Sequence, residues 1–148
     1  IIASGKVVTG FDIIRCLSID ADVCNAARGM MIALGCIQAL ECHANTCPTG
    51  IATQDPNLMK GLVPKEKSVR VARFQEETVK SAMELMASAG LKHPDEVTRD
   101  VVSTRVERNQ TETFAQTFPE LETECLLYES TVPKEFLYFW KKASVEKF

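Results

Sequence analysis

The apolar residues of the first forty positions fall into two short continuous runs, each followed by a stretch with helical spacing. The runs are Ile1–Ala3 and Ala21–Cys24, and each is nearly all apolar, as strands covered on both faces are. Helices are predicted after them, over residues 10–18 and from 30 to about 40. The order strand–helix–strand–helix indicates two parallel strands with a right-handed crossover, and therefore an α/β fold.

The first predicted helix carries both an inward-facing stripe and a start signal. Phe11, Ile14 and Leu17 recur at three-residue steps, which places them on one face of the helix. Thr9 and Asp12 have the spacing of a capping box, in which each side chain bonds the backbone N–H of the other residue. We therefore expect this helix to have a well-defined first turn.

Beyond the first forty residues the pattern is mainly helical. A long amphipathic helix is predicted over residues 65–89, with Gly90 as its C-terminal cap. Its apolar stripe comprises Val71, Phe74, Thr78, Ala82, Leu85, Met86 and Ala89. Residues 111–118 suggest a weak helix, and Pro133 is well placed to begin a final helix that ends near Ala143.

The composition is that of an ordinary globular domain, with 148 residues, 45% of them apolar, and a net charge of −3. This balance argues against a nucleic-acid or anionic-membrane surface, because both need clustered Lys and Arg. Six cysteines without a signal peptide favour a reducing compartment, and we expect a cytoplasmic protein. Because the chain opens on an apolar strand without Met, we expect it to be the C-terminal part of a longer protein, whose upstream sequence could carry a membrane anchor.

The loops after the two predicted strands have the composition of an anion site. Ser4-Gly5-Lys6 follows the first strand, and Ala26–Gly29 follows the second and opens directly into a helix. Small residues let backbone N–H groups approach an anion, and Lys6 and Arg28 add positive charge. The same residues would also make two ordinary strand-to-helix turns, so the pattern alone leaves both interpretations open.

Three cysteines, Cys36, Cys42 and Cys47 (the cysteine triplet), lie in one short segment closed by Cys-Pro and a Gly turn. Thiolates gathered this closely bind a soft metal or an iron–sulfur cluster, and three of them suit a three-iron cluster. The alternatives are a structural zinc ion with His43 as fourth ligand, a disulfide with one spare thiol, and three unrelated structural cysteines. The remaining cysteines are expected in the core: Cys16, Cys24 and Cys125.

The residues around the triplet carry a resemblance to a known family. The runs Gly29–Cys36 and Cys42–Asp55, the second containing Cys-His-Ala-Asn-Thr-Cys-Pro-Thr-Gly and ending in Thr-Gln-Asp, strongly resemble the FMN-binding synthase domain of glutamate synthases. The segments Val69–Phe74 and Thr131–Phe136 are also similar to that family. The likeness is strongest to the shorter, stand-alone FMN-binding glutamate-synthase-like proteins, and it covers essentially the whole chain.

The resemblance implies a (β/α)8 barrel, of which this chain would supply the C-terminal part. Residues 1–56 would be the last two strand–helix units of the FMN barrel with the cysteine loop, and residues 57–148 a helical C-terminal extension packed on the barrel. It also implies two cofactors, FMN and a [3Fe-4S] cluster, with the cluster on the cysteine triplet. The FMN phosphate would be held by residues of the two loops: Ser4, Gly5, Lys6, Ala27 and Arg28.

The activity that the resemblance implies is that of an oxidoreductase acting on CH–NH2 donors, as part of the full-length chain. Electrons from a ferredoxin or an NAD(P)H-dependent flavoprotein subunit would pass through the cluster to FMN. The flavin would then reduce 2-iminoglutarate, formed from 2-oxoglutarate and ammonia or glutamine, to L-glutamate. The alternative function is a non-catalytic module in which the same cysteines hold structural zinc.

Overall fold

The computed structural model describes residues 1–146. They form two compact units, one from Ile1 to Thr117 and one that begins at Phe118. Short 3-10 turns occupy Pro94–Glu96 and Glu129–Thr131. The helices and strands, in chain order, are β1 (Ile2–Ser4), α1 (Gly10–Leu17), β2 (Val23–Asn25), α2 (Arg28–Leu34), α3 (Pro56–Met59), α4 (Pro64–Ser88), β3 (Ser103–Glu107), β4 (Gln110–Thr113), α5 (Phe114–Thr117) and α6 (Lys134–Lys142).

The first two strands pair in parallel, with Ile2 opposite Val23 and Ser4 opposite Asn25. Helix α1 connects them, so the predicted strand–helix–strand unit and the α/β class are confirmed. Both strands end at the same edge of the sheet, and the loops that follow them therefore start side by side. Within residues 1–146 this sheet has two strands and closes no barrel, so the (β/α)8 assignment stays a prediction.

The predicted capping box at the start of α1 is confirmed. The Thr9 hydroxyl accepts a hydrogen bond from the Asp12 N–H at 3.2 Å, and the Asp12 carboxylate accepts one from the Thr9 N–H at 2.9 Å. The bond from the Thr9 backbone holds the pKa of Asp12 below its usual value, and Arg15, 3.7 Å away, acts in the same direction. These contacts fix the direction in which α1 leaves the loop after β1.

Helix α1 lies against the backbone of α4. A Cβ atom added at Gly10 would stand 2.5 Å from the backbone nitrogen of Ala82 and 2.8 Å from the Ser81 hydroxyl. Only glycine permits that approach, since real Cβ atoms do not come so close to backbone atoms. The main core of this unit is formed by α1, α4, the segment between α4 and β3, and the start of α5. Its buried members are Ile14, Ala82, Met86, Val97, Val102 and Phe114.

Helix α4 matches its prediction within one residue at each end, and Gly90 caps it as expected. Gly90 has φ +77°, and the Leu91 N–H bonds the Met86 carbonyl at 2.9 Å, which is the Schellman pattern. Ala82 and Met86 are buried, whereas Leu85, at the edge of the predicted stripe, is exposed. At 25 residues α4 is long, but no helix in residues 1–146 is both long and apolar enough to cross a membrane.

Residues 111–118, predicted as a weak helix, begin instead as a strand. β4 pairs antiparallel with β3, with Thr111 opposite Arg105, and α5 starts only at Phe114. Alternating β-branched residues at the start of the segment favour the pleated conformation. The Phe114 N–H bonds the Val102 carbonyl at 2.8 Å, which anchors the end of the hairpin in the core. The prediction was therefore wrong for the first half of this segment.

The second unit is organised around α6, which agrees with the final helix predicted from Pro133. The indole Nε1 of Trp140 donates to the Leu126 carbonyl at 2.9 Å, and Lys141 pairs with Glu129 at 3.0 Å. These bonds tie the helix to the loop that precedes it. The predicted boundary between residues 56 and 57 remains a prediction.

Candidate functional site

A cavity of about 530 Å³ opens at the edge of the sheet where β1 and β2 end. The loop after β1 forms one wall, and the start of α2 forms another. All five residues predicted to hold a phosphate line this cavity. They come from two loops that are distant in the sequence and adjacent in the structure. The lining residues are Ser4, Gly5, Lys6, Val7, Val8, Asn25, Ala27, Arg28, Ile32 and Gln38.

The loop after β1 turns through two consecutive left-handed residues. Gly5 has φ +112° and Lys6 has φ +56°, and no heavy atom lies within 4 Å of a Cβ placed on Gly5. This leaves the peptide groups of the loop open to the cavity. Lys6 and Arg28 are both exposed, and within residues 1–146 neither side chain makes a hydrogen bond or an ion pair. Two uncompensated positive charges therefore line one cavity, which favours an anionic occupant.

Helix α2 ends earlier than its pattern predicts, at Leu34 rather than near position 40. Gly35 takes φ +117°, and the Cys36 N–H bonds the Met31 carbonyl at 2.9 Å, which is again the Schellman pattern. A glycine in the left-handed region terminates the helix although apolar residues continue beyond it. Cys36 consequently lies just after the helix and not within it.

The segment after Cys36 turns back towards that cysteine. The backbone N–H of Gln38 donates to the Cys36 sulfur at 3.4 Å. Gln38 and Leu40 both have left-handed backbone angles, with φ +57° and +61°. Backbone N–H bonds to sulfur are also found around the cysteine ligands of metal centres.

Asn45 stabilises the next part of the loop that carries the cysteine triplet. Its side-chain oxygen accepts the Gln54 N–H at 2.6 Å, and its backbone carbonyl accepts the Thr53 hydroxyl, also at 2.6 Å. Its φ of +63° is one that Asn tolerates better than most residues. Together these contacts join the middle of the loop to the segment that leads into α3.

Cys47 is the deepest cysteine of the triplet, with 8% of its surface exposed. The Thr49 hydroxyl lies 3.3 Å from its sulfur. That hydrogen bond is the largest cause that lowers the pKa of the Cys47 thiol from 9.0 to about 7, and the backbone N–H of Ala52 is the next. The turn itself depends on Gly50, since a Cβ there would stand 2.2 Å from the Leu58 carbonyl oxygen.

The three cysteines are free thiols in different surroundings: Cys36 is half-buried, Cys42 exposed and Cys47 buried. Among residues 1–146 no three Cys, His, Asp or Glu side chains are grouped as a metal centre requires. The donor chemistry nevertheless suits a cluster, because two of the sulfurs already accept N–H or O–H bonds. Metal binding by the triplet thus stays a prediction.

A second cavity, of about 390 Å³, opens beside the exposed part of the cysteine loop. Cys42 and His43 line it together with Asn45, and the remaining lining residues come from the segment before α3: Ala52, Thr53 and Gln54. His43 is therefore on the cavity wall next to one member of the triplet.

Two residues that contribute to these sites could not be identified from the sequence pattern. Gln38 is an ordinary polar residue in the pattern, yet it lines the first cavity and bonds a cysteine sulfur. Thr49 acts on Cys47 across one intervening residue, a contact that depends on the local backbone conformation. Of the cysteines expected in the core, Cys16 and Cys125 are buried.

Cys24 is only half-buried, although it was expected in the core with Cys16. It packs against the small cluster that contains Cys16. Burial, and then the neighbouring Cys16 thiol, raise the pKa of Cys24 to about 11. This thiol is therefore poorly suited to act as a thiolate ligand or nucleophile.

Comparison with known proteins places these features in a family. Residues 1–92 match the family model described as a conserved region in glutamate synthase. The chain is 44% identical over 107 residues to the glutamate synthase large subunit-like protein YerD of Bacillus subtilis, covering 72% of this chain and 20% of that protein. No solved structure matches it.

Two further relatives have names that state an activity. The archaeal glutamate synthase (NADPH) of Methanocaldococcus jannaschii is 35% identical over 91 residues, covering 62% of this chain and 18% of that protein. The glutamate synthase (NADPH) large chain of Bacillus subtilis is 35% identical over 94 residues, covering 63% of this chain and 6% of that protein. The chain thus spans a fifth or less of the length of these relatives, and the matched family region covers well over half of the chain. It belongs to the glutamate synthase family.

Proposed function

We propose that this chain is the flavin- and cluster-binding end of a glutamate-synthase-like oxidoreductase. The observation that carries the proposal is the cavity at the ends of β1 and β2, where Lys6 and Arg28 bring two unpaired charges to loops of small residues. Anion sites at strand ends of α/β proteins hold the phosphate of a cofactor in this way. The cavity lies one short helix away from the cysteine triplet, so both cofactors would be held by one continuous stretch of chain.

In the proposed complex the cavity holds the phosphate of FMN. The Lys6 ammonium and the Arg28 guanidinium donate charge-assisted hydrogen bonds to the phosphate oxygens, and the open backbone at Gly5 allows close approach. Ser4 and Ala27 line the same wall with small side chains. FMN, when bound, supplies the hydride chemistry, while these residues fix its position.

The cysteine triplet would hold a [3Fe-4S] cluster as three thiolates. The Gln38 N–H at Cys36 and the Thr49 hydroxyl at Cys47 would offset negative charge on two of those thiolates. Bonds of this kind tune the potential of a cluster. Cys42, the third proposed ligand, is exposed.

The reaction that these cofactors would serve is the formation of L-glutamate. 2-Iminoglutarate, formed from 2-oxoglutarate and ammonia or with glutamine as the ammonia source, would be the substrate, and bound FMN would supply the hydride chemistry for its reduction. A ferredoxin or an NAD(P)H-dependent flavoprotein subunit would supply the electrons. The reaction belongs to the longer protein, to which residues 1–56 would contribute the last two units of a (β/α)8 barrel and residues 57–148 an extension; a cytoplasmic location suits this chemistry.

The proposal is tested by metal and flavin analysis of the intact protein prepared without oxygen. Iron and acid-labile sulfide in a ratio of three to four, with one FMN per chain, are expected. Stoichiometric zinc without iron would refute the cluster and support the structural alternative. Assays of ammonia- and glutamine-dependent glutamate formation then test the activity, with a Cys36→Ser variant as the negative control for the cluster.

A further inference from the structure

Gln38 contacts both candidate sites. It lines the cavity that contains Lys6 and Arg28, and its backbone N–H bonds the Cys36 sulfur at 3.4 Å. Of the residues that the structure describes, Gln38 is the only one lining this cavity that comes from the segment after α2, which carries the cysteine triplet. A movement of Gln38 at the cavity wall would therefore also move the donor that holds the sulfur.

The backbone of Gln38 is in a conformation that is unfavourable for a residue with a Cβ. Its φ of +57° lies in the left-handed region. Its side chain is exposed, and within residues 1–146 it makes no hydrogen bond. Nothing in the protein itself thus holds this amide in place, while the N–H bond to Cys36 depends on the strained backbone.

We propose that Gln38 couples occupancy of the cavity to the environment of the Cys36 sulfur. In this scheme the anionic group of a bound ligand accepts a hydrogen bond from the Gln38 side-chain amide. The ordered residue then keeps its N–H on the Cys36 sulfur and shields that sulfur. The inference rests on the proposed FMN site, and it makes Gln38 a positioning residue rather than a catalytic one.

Ligand binding in the cavity and the Gln38 N–H bond to the Cys36 sulfur are linked equilibria, so each favours the other by the same factor. Ligand binding is therefore expected to slow reaction at that sulfur. Couplings of this kind amount to about fivefold or more. This gives an observable that needs neither the cluster nor turnover.

The test measures alkylation of Cys36 by iodoacetamide in the intact protein after anaerobic removal of iron. Site-resolved mass spectrometry follows Cys36, and the exposed Cys42 serves as the internal reference. Saturating FMN is expected to slow alkylation of Cys36 about fivefold or more and to leave Cys42 unchanged. Riboflavin, which lacks the phosphate, and inorganic phosphate alone are run in parallel. Protection by phosphate but not by riboflavin assigns the contact to the anionic group, whereas protection by riboflavin alone overturns that assignment.

Two glycine variants separate the side chain from the backbone. Gln38→Gly keeps the N–H and accepts the left-handed angle, but removes the amide. Leu40→Gly makes the same backbone change at φ +61° in the same loop, at a residue that does not line the cavity. Loss of FMN protection is expected in Gln38→Gly only.

The outcomes distinguish this inference from the function on which it rests. FMN that binds wild-type protein without altering Cys36 alkylation overturns the coupling and leaves the flavin site intact. Equal loss of protection in both glycine variants also overturns it, since loop freedom would then be the cause. Failure of FMN to bind at all overturns both.

Discussion

Gly10 and Ala82 bring two helices into backbone contact, since a Cβ atom at Gly10 would stand 2.5 Å from the Ala82 nitrogen. The position of α1 relative to α4 is thereby set by the absence of a side chain. Because α1 connects the two strands whose ends form the cavity, this contact also determines where the cavity loops begin.

Gly10→Ala is expected to destabilise the protein by about 1–3 kcal/mol, because the added methyl group forces backbone atoms apart. A urea denaturation curve measures the loss as a lower midpoint. Met83→Ala, at a residue of α4 with 62% of its surface exposed, is the control and is expected to change stability by no more than about 0.5 kcal/mol. Equal midpoints for Gly10→Ala and wild type would contradict the close approach.

The capping box predicts that Asp12 makes a pH-dependent contribution to the stability of the folded protein. The pKa of Asp12 is lower in the folded protein than the unperturbed value of 3.8, so ionised Asp12 stabilises the fold above about pH 4. That contribution is lost as the pH falls from about 4 through the lower, folded-state pKa. Asp12→Asn keeps a hydrogen-bond acceptor but does not titrate, so the difference in stability between wild type and variant is expected to shrink over this range. Denaturation curves from pH 6 to 2.5 measure it, and a constant difference would argue against the capping role.

The Cys47 thiol is expected to titrate near neutral pH in cluster-free protein. Its pKa of about 7 arises first from the Thr49 hydroxyl, so Thr49→Val should move the midpoint of alkylation upward, towards the ordinary value of 9.0. Peptide-resolved alkylation rates from pH 5 to 10 give the midpoint. Thr46→Val, in the same loop and without a bond to sulfur, is the matched control. An unshifted midpoint in Thr49→Val would show that the hydroxyl has no influence on the thiol.

The charge in the cavity predicts which substitutions weaken FMN binding. Arg28→Ala and Lys6→Ala each remove a cation that can bond the phosphate, at a cost of about 1.5–3 kcal/mol. Fluorescence titration should therefore show that each variant binds FMN about ten- to a hundredfold more weakly than wild type does. The affinity for riboflavin should change much less. Arg70→Ala removes the same charge from the exposed surface of α4 and should leave the affinity unchanged. Equal losses for FMN and riboflavin would place the phosphate elsewhere.

The sequence predicted the parts of the fold that depend on local pattern. The strands around Ala3 and Cys24, the capped helix between them and the long helix ending at Gly90 all follow from periodicity and cap residues. The hairpin of β3 and β4 was missed because strand pairing is not local. The alternating pattern around Thr111 spans only the four residues of β4, and a pattern this short does not distinguish a strand from a weak helix.

The candidate site likewise has parts that the sequence predicted and parts that it did not. The two cavity loops were predicted because they follow strands whose parallel pairing brings their ends together, so Lys6 and Arg28 meet although 21 residues lie between them. The role of Gln38 was not predictable, since it depends on a left-handed angle and on the early end of α2 at Gly35. Apolar residues after Gly35 continued the helical pattern, and only the observed backbone shows where it stops.

Helix α2 starts at Arg28 in the cavity wall and ends two positions before Cys36. Its seven residues make it a rigid spacer of roughly 10 Å between the two sites. Each residue of such a spacer also sets an angle of about 100° around its axis. One inserted residue would therefore rotate Cys36 about the helix axis, relative to the cavity, without changing the identity of any residue in either site. The length of α2 thus contributes to the site as its individual residues do.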